Sequence, residues 1–229
     1  MERRSTRQRL GRRAGSLLLV AGGIVIAFPF WSALYTHYEQ DRLGSAYRRA
    51  DAAFATKTRH QPPAGHQSAA AEARSLAALF ARGLRPGDPI GRLQISRLHL
   101  DVLVVQGSLG VSSLNPASDA SYLRGGPVHY GITPLPGAGT PVAIAGHRTT
   151  YSAPFYGLGQ LRAGNWIVLD TPYGRFAYRV VTVMTVRPSD VGVLFDRRFD
   201  LVLTTCTPPY SASHRLVVAA RLVNFQLRR

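Results

Sequence analysis

The chain contains little cysteine, little lysine and few acidic side chains. Among its 229 residues Cys206 is the single cysteine, which excludes an intramolecular disulfide and any metal site built from several cysteines. Zinc-finger, basic-zipper and RNA-recognition motifs are absent from the sequence, as are internal repeats and a glycine-rich phosphate loop. The basic side chains give a formal net charge of +16, but they are almost all arginines and are scattered except at the N-terminus. We therefore predict no nucleic-acid partner, no metal and no cofactor.

One long uncharged segment lies near the N-terminus. The run from Ala14 to Tyr35 has roughly 22 residues, enough for a helix across a bilayer, which needs about 20. Residues 1–13 hold six arginines, so they are predicted to form a cytoplasmic basic tail, with everything after the span outside the cell. Trp31 and Tyr35 fall where aromatic side chains favour the outer interface. A cleaved signal peptide is the alternative, but no Ala-x-Ala site follows, since Trp31 stands where a small residue is required.

The segment after the span differs in composition from the rest of the chain. Residues 36–86 are rich in alanine, arginine and polar side chains, and we interpret them as an extracytoplasmic stalk that lifts the following domain off the membrane. Residues 42–59 and 69–82 have helical character but only a thin apolar stripe. For the second of these segments, a helix packed onto the domain is the alternative.

Residues 87–229 change to short β-rich runs separated by glycine and proline. Seven strands are predicted: Ile90–Ile95, Leu100–Gln106, Pro141–Ala145, Trp166–Asp170, Phe176–Val186, Leu201–Cys206 and Leu216–Phe225. Short strands at this spacing, with little helix, indicate an all-β sandwich or closed barrel of about 140 residues.

Cys206 ends a predicted buried strand. Two prolines follow it closely, at Pro208 and Pro209, and proline cannot continue a sheet ladder. A second apolar run begins at Arg215 after a short polar loop, so antiparallel pairing of the two runs would place Arg215 beside Cys206. A guanidinium beside a thiol favours the thiolate. The alternative is that Cys206 is a small buried apolar residue and Arg215 a charge that flanks the strand.

A cysteine nucleophile needs a proton-transfer partner, and three histidines are candidates. Gly146 and His147 come directly after the apolar strand Val142–Ala145. His147 therefore lies at the end of a predicted strand, as Cys206 does. His214 adjoins Arg215, and His129 lies in a loop that could line a groove. The residues alone favour His147 and leave the other two open.

These residues also form motifs that resemble a known family. The motifs are Ala145-Gly146-His147-Arg148, Leu203-Thr204-Thr205-Cys206 and Arg215, accompanied by the stretches 125–130, 149–155 and 186–194. In this order they are similar to the His, Cys and Arg motifs of sortases, the membrane-anchored cysteine transpeptidases of Gram-positive bacteria, and most of all to class E sortases of actinobacteria. The resemblance covers about residues 87–225 and implies a closed eight-stranded β-barrel.

The resemblance also implies a role for each site residue. Cys206, as thiolate, would attack the threonine carbonyl of a Leu-Pro-x-Thr-Gly or Leu-Ala-x-Thr-Gly sorting signal and form a thioester. Arg215 would hydrogen-bond the oxyanion or the substrate backbone, with the Thr205 side chain or a nearby backbone amide as second donor. His147 would protonate the leaving glycine amine and then deprotonate the incoming amine. Arg148 is expected to lie solvated at the rim, and binding of the substrate's charged tail is its alternative role.

Substrate and partners follow from the same resemblance. The groove walls are expected to be residues 187–199, with Pro188 as a substrate-binding residue, and 207–214. The partners would be surface proteins with a C-terminal sorting signal and an amine from a lipid-linked wall precursor or a pilin lysine. One rival function is an L,D-transpeptidase, although the Ser-His-Gly-Cys pattern of those enzymes does not fit Thr204-Thr205-Cys206. The other is a membrane-tethered wall-binding domain with an unused thiol.

Overall fold

The computed structural model describes residues 2–59, 68–108, 114 and 120–228, with side chains from Gly15 onward except at Ala120. Three α-helices are assigned: α1 (Glu2–Arg59), α2 (Ala69–Ala81) and α3 (Ala120–Leu123). The strands are β1 (Pro89–Ile95), β2 (Leu100–Gln106), β3 (Val128–His129), β4 (Val142–Ala145), β5 (Trp166–Thr171), β6 (Gly174–Val186), β7 (Leu201–Thr207) and β8 (His214–Leu227).

The eight strands close into a barrel in the order β1-β2-β3-β4-β7-β8-β6-β5. The pairs β2–β3 and β4–β7 are parallel, and the other six are antiparallel. All seven predicted strands are present, and the closed barrel is confirmed. The eighth strand, β3, was not predicted because its two residues are too short to show any alternation.

The strands around the site have an inner and an outer face, and both are apolar. One hydrophobic cluster takes side chains from seven strands and fills the barrel; it includes Ile144 of β4, Leu203 of β7 and Val218 of β8. The residues between them, such as Ala145 and Val202, belong to a second cluster that covers the outside of β2, β3, β4, β7 and β8. Because side chains alternate along a strand, every position on these strands can be assigned to one face.

The segment predicted as a stalk is helical and packs against the barrel. α1 continues without a break to Arg59; its Leu43 joins the outer cluster and its Phe54 joins the inner one. α2 buries Ala73, Leu76, Ala77 and Phe80, so the second segment takes the packed alternative. The segment therefore does not stand clear of the domain as a free spacer would, because its apolar stripe finds partners on the barrel.

The N-terminal part of α1 has the length and composition of a membrane span. From Gly15 onward it is the one described helix that is long and apolar enough to cross a bilayer. Its most apolar stretch of 18 residues has a mean hydropathy of 2.2, and only 6% of that stretch is buried. An apolar surface left uncovered by the protein is what a lipid-facing helix presents. The helix fits the predicted single-pass anchor, although a signal sequence has the same properties.

Candidate active site

The parallel pairing of β4 with β7 brings His147 and Cys206 to the same end of the barrel. Ala145 pairs with Thr204, and the Gly146 amide donates to the Thr204 carbonyl at 3.1 Å. His147 and Cys206 each follow two residues after this last pair. Because parallel neighbours run side by side, the two side chains lie at one rim.

Gly146 is required where β4 ends. A Cβ at this position would lie 2.6 Å from the ring of Phe155, which is fully buried. The Phe155 amide donates to the His147 carbonyl at 3.0 Å, so the loop from His147 to Phe155 folds back on itself. The glycine thus allows a bulky ring to hold the loop that carries His147.

Arg215 lies directly opposite Cys206 in the antiparallel pair of β7 and β8, as the sequence predicted. Directly opposite residues point to the same face of a sheet. The Arg215 side chain is only 4% exposed. Its Nε donates to the Leu114 carbonyl, and Nη1 donates to the carbonyls of Ala212 and His214, each at 3.0 Å. These bonds fix the guanidinium beside the thiol.

Cys206 and Arg215 share the outer face of the barrel, and His147 follows the end of β4 at the same rim. Cys206 lies on the same face of β7 as Val202, and Arg215 lies on the same face of β8 as Val217; both apolar residues belong to the outer cluster. His147 comes two residues after Ala145, whose side chain belongs to that cluster. Cys206 is partly exposed. The site is therefore open to an extended peptide that lies across the outside of the sheet.

Thr205 occupies the opposite face. It alternates with Cys206, in the series of Leu203, and is only 3% exposed. Its hydroxyl donates to the Gly146 carbonyl at 2.8 Å. The single hydroxyl proton is thus used inside the barrel, which argues against the substrate-binding role expected for this side chain. Its observed contact ties β7 to the end of β4.

Pro188 and Leu114 form one wall beside Arg215. Pro188 lies in the loop after β6, whose last residue, Val186, pairs with Arg215. The Leu114 amide donates to the Pro188 carbonyl at 2.8 Å, and the Leu114 carbonyl accepts from Arg215 and from the Tyr130 hydroxyl. Sequence reasoning missed Leu114, because nothing in its local pattern indicates a contact with Arg215, about 100 residues later.

Arg148 is partly exposed at the rim and also contacts the backbone of the site. Its Nη1 donates to the Cys206 carbonyl at 3.1 Å, and its Nε is buried without a hydrogen-bond partner among the described residues. The neighbour of the histidine therefore holds the backbone of the cysteine, which links the two strand ends a second time.

The surroundings of His147 favour its neutral form. Burial lowers its pKa below the usual value, and the nearby positive charge of Arg124 lowers it further. The ring of Tyr151 packs against the imidazole, with the ring centres 5.2 Å apart. An imidazole in this setting binds a proton weakly and releases it readily.

The other two candidate histidines have different surroundings. His129 of β3 is 1% exposed and points inward, with Nδ1 3.0 Å from Gln106 Oε1 and Nε2 3.2 Å from the Pro134 carbonyl. Burial lowers its pKa to about 4. His214 is exposed and contacts Ser213. Of the three, His147 is the one that follows the outward series of β4 beside Cys206.

Comparison with protein families gives one match that covers more than half of the chain. The Sortase domain family matches residues 93–223. Sortase SrtE1 of Streptomyces coelicolor is 29% identical over 150 residues, which are 60% of this chain and 41% of that protein. Sortase D of Bacillus subtilis is 26% identical over 195 residues, 84% of this chain and 87% of that protein. The chain thus spans less than half of the length of the first relative and most of the second.

Solved structures agree with these relatives. The crystal structure of Sortase E1 from Streptomyces coelicolor with a tripeptide in the active site is 28% identical, with a TM-score of 0.52, and the match covers 63% of this chain and 94% of that one. Sortase E from Streptomyces avermitilis is 32% identical with a TM-score of 0.53, over 62% of this chain and 93% of that one.

Proposed function

The chain belongs to the sortase family, and on that premise we propose that it is a membrane-anchored cysteine transpeptidase. It cleaves a Leu-Pro-x-Thr-Gly or Leu-Ala-x-Thr-Gly signal between threonine and glycine and transfers the threonine carbonyl to an amine. The observation that supports this proposal is the strand register: Cys206 is paired with Arg215, and His147 follows the end of the adjacent parallel strand at the same rim.

In the first step, Cys206 attacks the threonine carbonyl. The thiol proton passes to His147, and the carbonyl oxygen becomes an oxyanion in the tetrahedral intermediate. A guanidinium has five N–H donors. Three of those on Arg215 donate to protein carbonyls. The two on Nη2 are the donors that we assign to the oxyanion. The second donor is a backbone amide, since the Thr205 hydroxyl donates to Gly146.

His147 then moves the proton to the leaving group. Its lowered pKa makes the imidazolium a strong enough acid to protonate the glycine amine as the C–N bond breaks. The neutral imidazole that remains accepts a proton from the incoming amine, which attacks the thioester and expels the Cys206 thiolate. This thiolate takes the proton from His147, and the thiol is restored. His147 thus carries the proton in both steps, the glycine amine is the leaving group of the first, and neither step uses a cofactor.

The proposed topology places this chemistry outside the cell. The arginine-rich residues 1–13 remain in the cytoplasm, α1 crosses the membrane, and the barrel faces the wall. The acyl donors are surface proteins with a C-terminal sorting signal. The amine comes from a lipid-linked wall precursor or from a pilin lysine. Pro188 and the loop around it form one side of the peptide groove.

The test is transpeptidation by the full chain in detergent. A peptide with either signal sequence and an added amine should yield the threonine-amine product, detected by mass. Cys206→Ala should abolish product and the thioester intermediate while thermal unfolding stays unchanged, whereas Ser75→Ala, at an exposed position of α2, should retain turnover. Unchanged turnover in Cys206→Ala would end the proposal. Failure of the native chain to form a thioester with either peptide would favour the wall-binding alternative.

A further inference from the structure

Helix α1 runs along the barrel from the catalytic rim to the opposite end. Four contacts along the helix show this course: Tyr35 with the ring of Tyr151, Gln40 with the backbone of Leu103, Tyr47 with the carbonyl of Asp170, and Phe54 with the ring of Tyr173. From Tyr35 to Phe54 the helix rises about 28 Å. Because the barrel packs along α1 over this distance, its orientation relative to the helix is fixed. An α1 that is perpendicular to the membrane therefore fixes the orientation of the barrel relative to the membrane.

The order of these contacts determines which end of the barrel faces the uncharged part of α1. Tyr151 follows His147 by four residues and belongs to the same rim as Cys206. Tyr173 lies in the turn between β5 and β6, and Gly174, which follows it, pairs with Leu227 at the end of β8, far from the pair of Cys206 and Arg215. The catalytic rim is therefore the end nearest to the predicted membrane span.

Tyr151 reaches alongside the span itself. Its ring centre lies 6.3 Å from that of Phe28 and 6.5 Å from that of Tyr35, and both partners belong to the uncharged run that ends at Tyr35. A span of about 20 residues that begins at Ala14 ends near residue 33. Tyr151 thus lies at the level where the hydrocarbon meets the headgroups, which is the depth that tyrosine favours.

Arg124 lies at the next level outward. Its guanidinium carbon is 5.9 Å from the centre of the Tyr151 ring, and its carbonyl accepts a hydrogen bond from Thr36, the first residue after the run. The Arg124 side chain is exposed. A guanidinium at this height is within reach of lipid phosphates.

The backbone of the loop holds Tyr151 toward α1. Tyr151, Ser152 and Ala153 have φ values of 51°, 60° and 44°, so three consecutive residues with side chains adopt the left-handed conformation. This conformation is unfavourable for residues that carry a Cβ, and contacts of the Tyr151 ring with Phe28 and Tyr35 offset part of the cost.

We propose that the loop 149–153 and Arg124 form a lipid-contacting surface, which seats the catalytic rim on the phospholipids of the outer leaflet. Tyr151 occupies the boundary between hydrocarbon and headgroups, and Arg124 contacts the lipid phosphates. This inference rests on the proposed function, in which α1 anchors the protein in the membrane. The imidazole of His147, which packs on Tyr151, then lies one ring away from the membrane surface. A substrate that is itself held in the bilayer can meet Cys206 there.

Fluorescence quenching in vesicles tests the depth of the loop. The full chain, with Trp31→Phe and Trp166→Phe, carries Tyr151→Trp as its one tryptophan and is reconstituted in phosphatidylcholine brominated on the acyl chains near the headgroup. We expect the emission to fall to about half or less of its value in unbrominated vesicles. Lys57→Trp is the matched control, because this exposed position on α1 lies about 33 Å beyond Tyr35. Its emission should not change.

Equal quenching at both positions, or quenching at neither, would overturn the proposal. If Tyr151→Trp lowers the thermal unfolding temperature, the exposed neighbour Ser152→Trp provides the same measurement. The readout needs no turnover, so the two proposals can fail separately. An active chain whose loop is not quenched overturns the lipid contact alone, and a quenched chain without thioester chemistry overturns the proposed activity alone.

Discussion

The inner and outer faces of β4, β7 and β8 are formed by alternate residues of the same strands, but the side chains of the two faces have different roles. On the inner face, Leu203 and Val218 are fully buried and Thr205 uses its hydroxyl to bind a neighbouring strand end. On the outer face, Cys206 lies near the end of β7 and is paired with Arg215, near the start of β8. The period of two in a β-strand therefore separates the residues that hold the barrel from those that are available to a substrate.

Among the histidines that the structure describes, two are partly or fully buried, and they show the same contrast. His129 points into the barrel, where hydrogen-bond partners surround it and burial keeps it neutral. His147 lies at the rim, where burial is partial and the charge of Arg124 adds to its effect. Both have lowered pKa values, so the pKa alone does not distinguish the proposed catalytic histidine from the buried one. The two differ in position, since His147 lies at the rim and His129 inside the barrel.

The largest expected effect on the outer face is that of Arg215→Lys. Lysine keeps the charge but cannot supply the planar fork that binds the carbonyls of Leu114, Ala212 and His214. We expect kcat for transpeptidation to fall on the order of 10²-fold or more. Steady-state kinetics of the full chain in detergent measure this. Turnover close to that of the native chain would contradict the oxyanion role.

On the inner face, Thr205→Val should act through the fold. Valine has the same shape but leaves the Gly146 carbonyl without this donor, which costs about 1–3 kcal/mol in a buried setting. The thermal unfolding temperature of the full chain in detergent should fall, and Thr205→Ser, which retains the hydroxyl, should restore most of it. A large loss of turnover with unchanged stability would instead return Thr205 to the oxyanion site and break the contrast between the faces.

The barrel was largely predictable because its strands are short, apolar and separated by turn residues. The antiparallel neighbours β7 and β8 are joined by a short loop, so the pairing of Cys206 with Arg215 could be predicted from local sequence. The parallel pairing of β4 with β7 joins segments about 60 residues apart, and the sequence supported it only through the similar ends of the two strands. β3 has two residues and carries no pattern.

The faces were harder to predict than the strands. Strands covered on both sides read as continuous apolar runs, so no alternation distinguishes Thr205 from Cys206 in the sequence. The contact of Leu114 with Arg215 depends on a loop about 100 residues away in the chain. The packing of α1 on the barrel was missed for a similar reason, because the polar contacts of Gln40 with backbone groups leave no hydrophobic pattern.

The variant His129→Gln tests the inner histidine through the pH dependence of the free energy of unfolding. The folded pKa of His129 is about 4, below the ordinary value of 6.5, so the unfolded chain binds more protons between these values. The native barrel therefore loses stability as the pH falls through this range, by about 2 kcal/mol between pH 7 and pH 5. Denaturation of both chains at the two pH values should show that the glutamine variant lacks this part of the loss. If the free energy of unfolding changes equally in both chains between pH 7 and pH 5, then His129 does not take up a proton on unfolding.

The smallest expected effect is a change in the pKa of His147, the histidine at the rim. Arg124→Gln removes a positive charge near His147, so the imidazolium becomes easier to form and the pKa of His147 should rise. Because Arg124 is exposed, salt screens its charge, and the difference between the two chains should shrink at high ionic strength. NMR titration of the His147 ring in the full chain, in an uncharged detergent, measures both changes. The pKa of His129 should not move, since burial and the Pro134 carbonyl are what shift it. A salt-independent rise at His147 would indicate that glutamine had altered the packing of Tyr151 on the imidazole rather than the local charge.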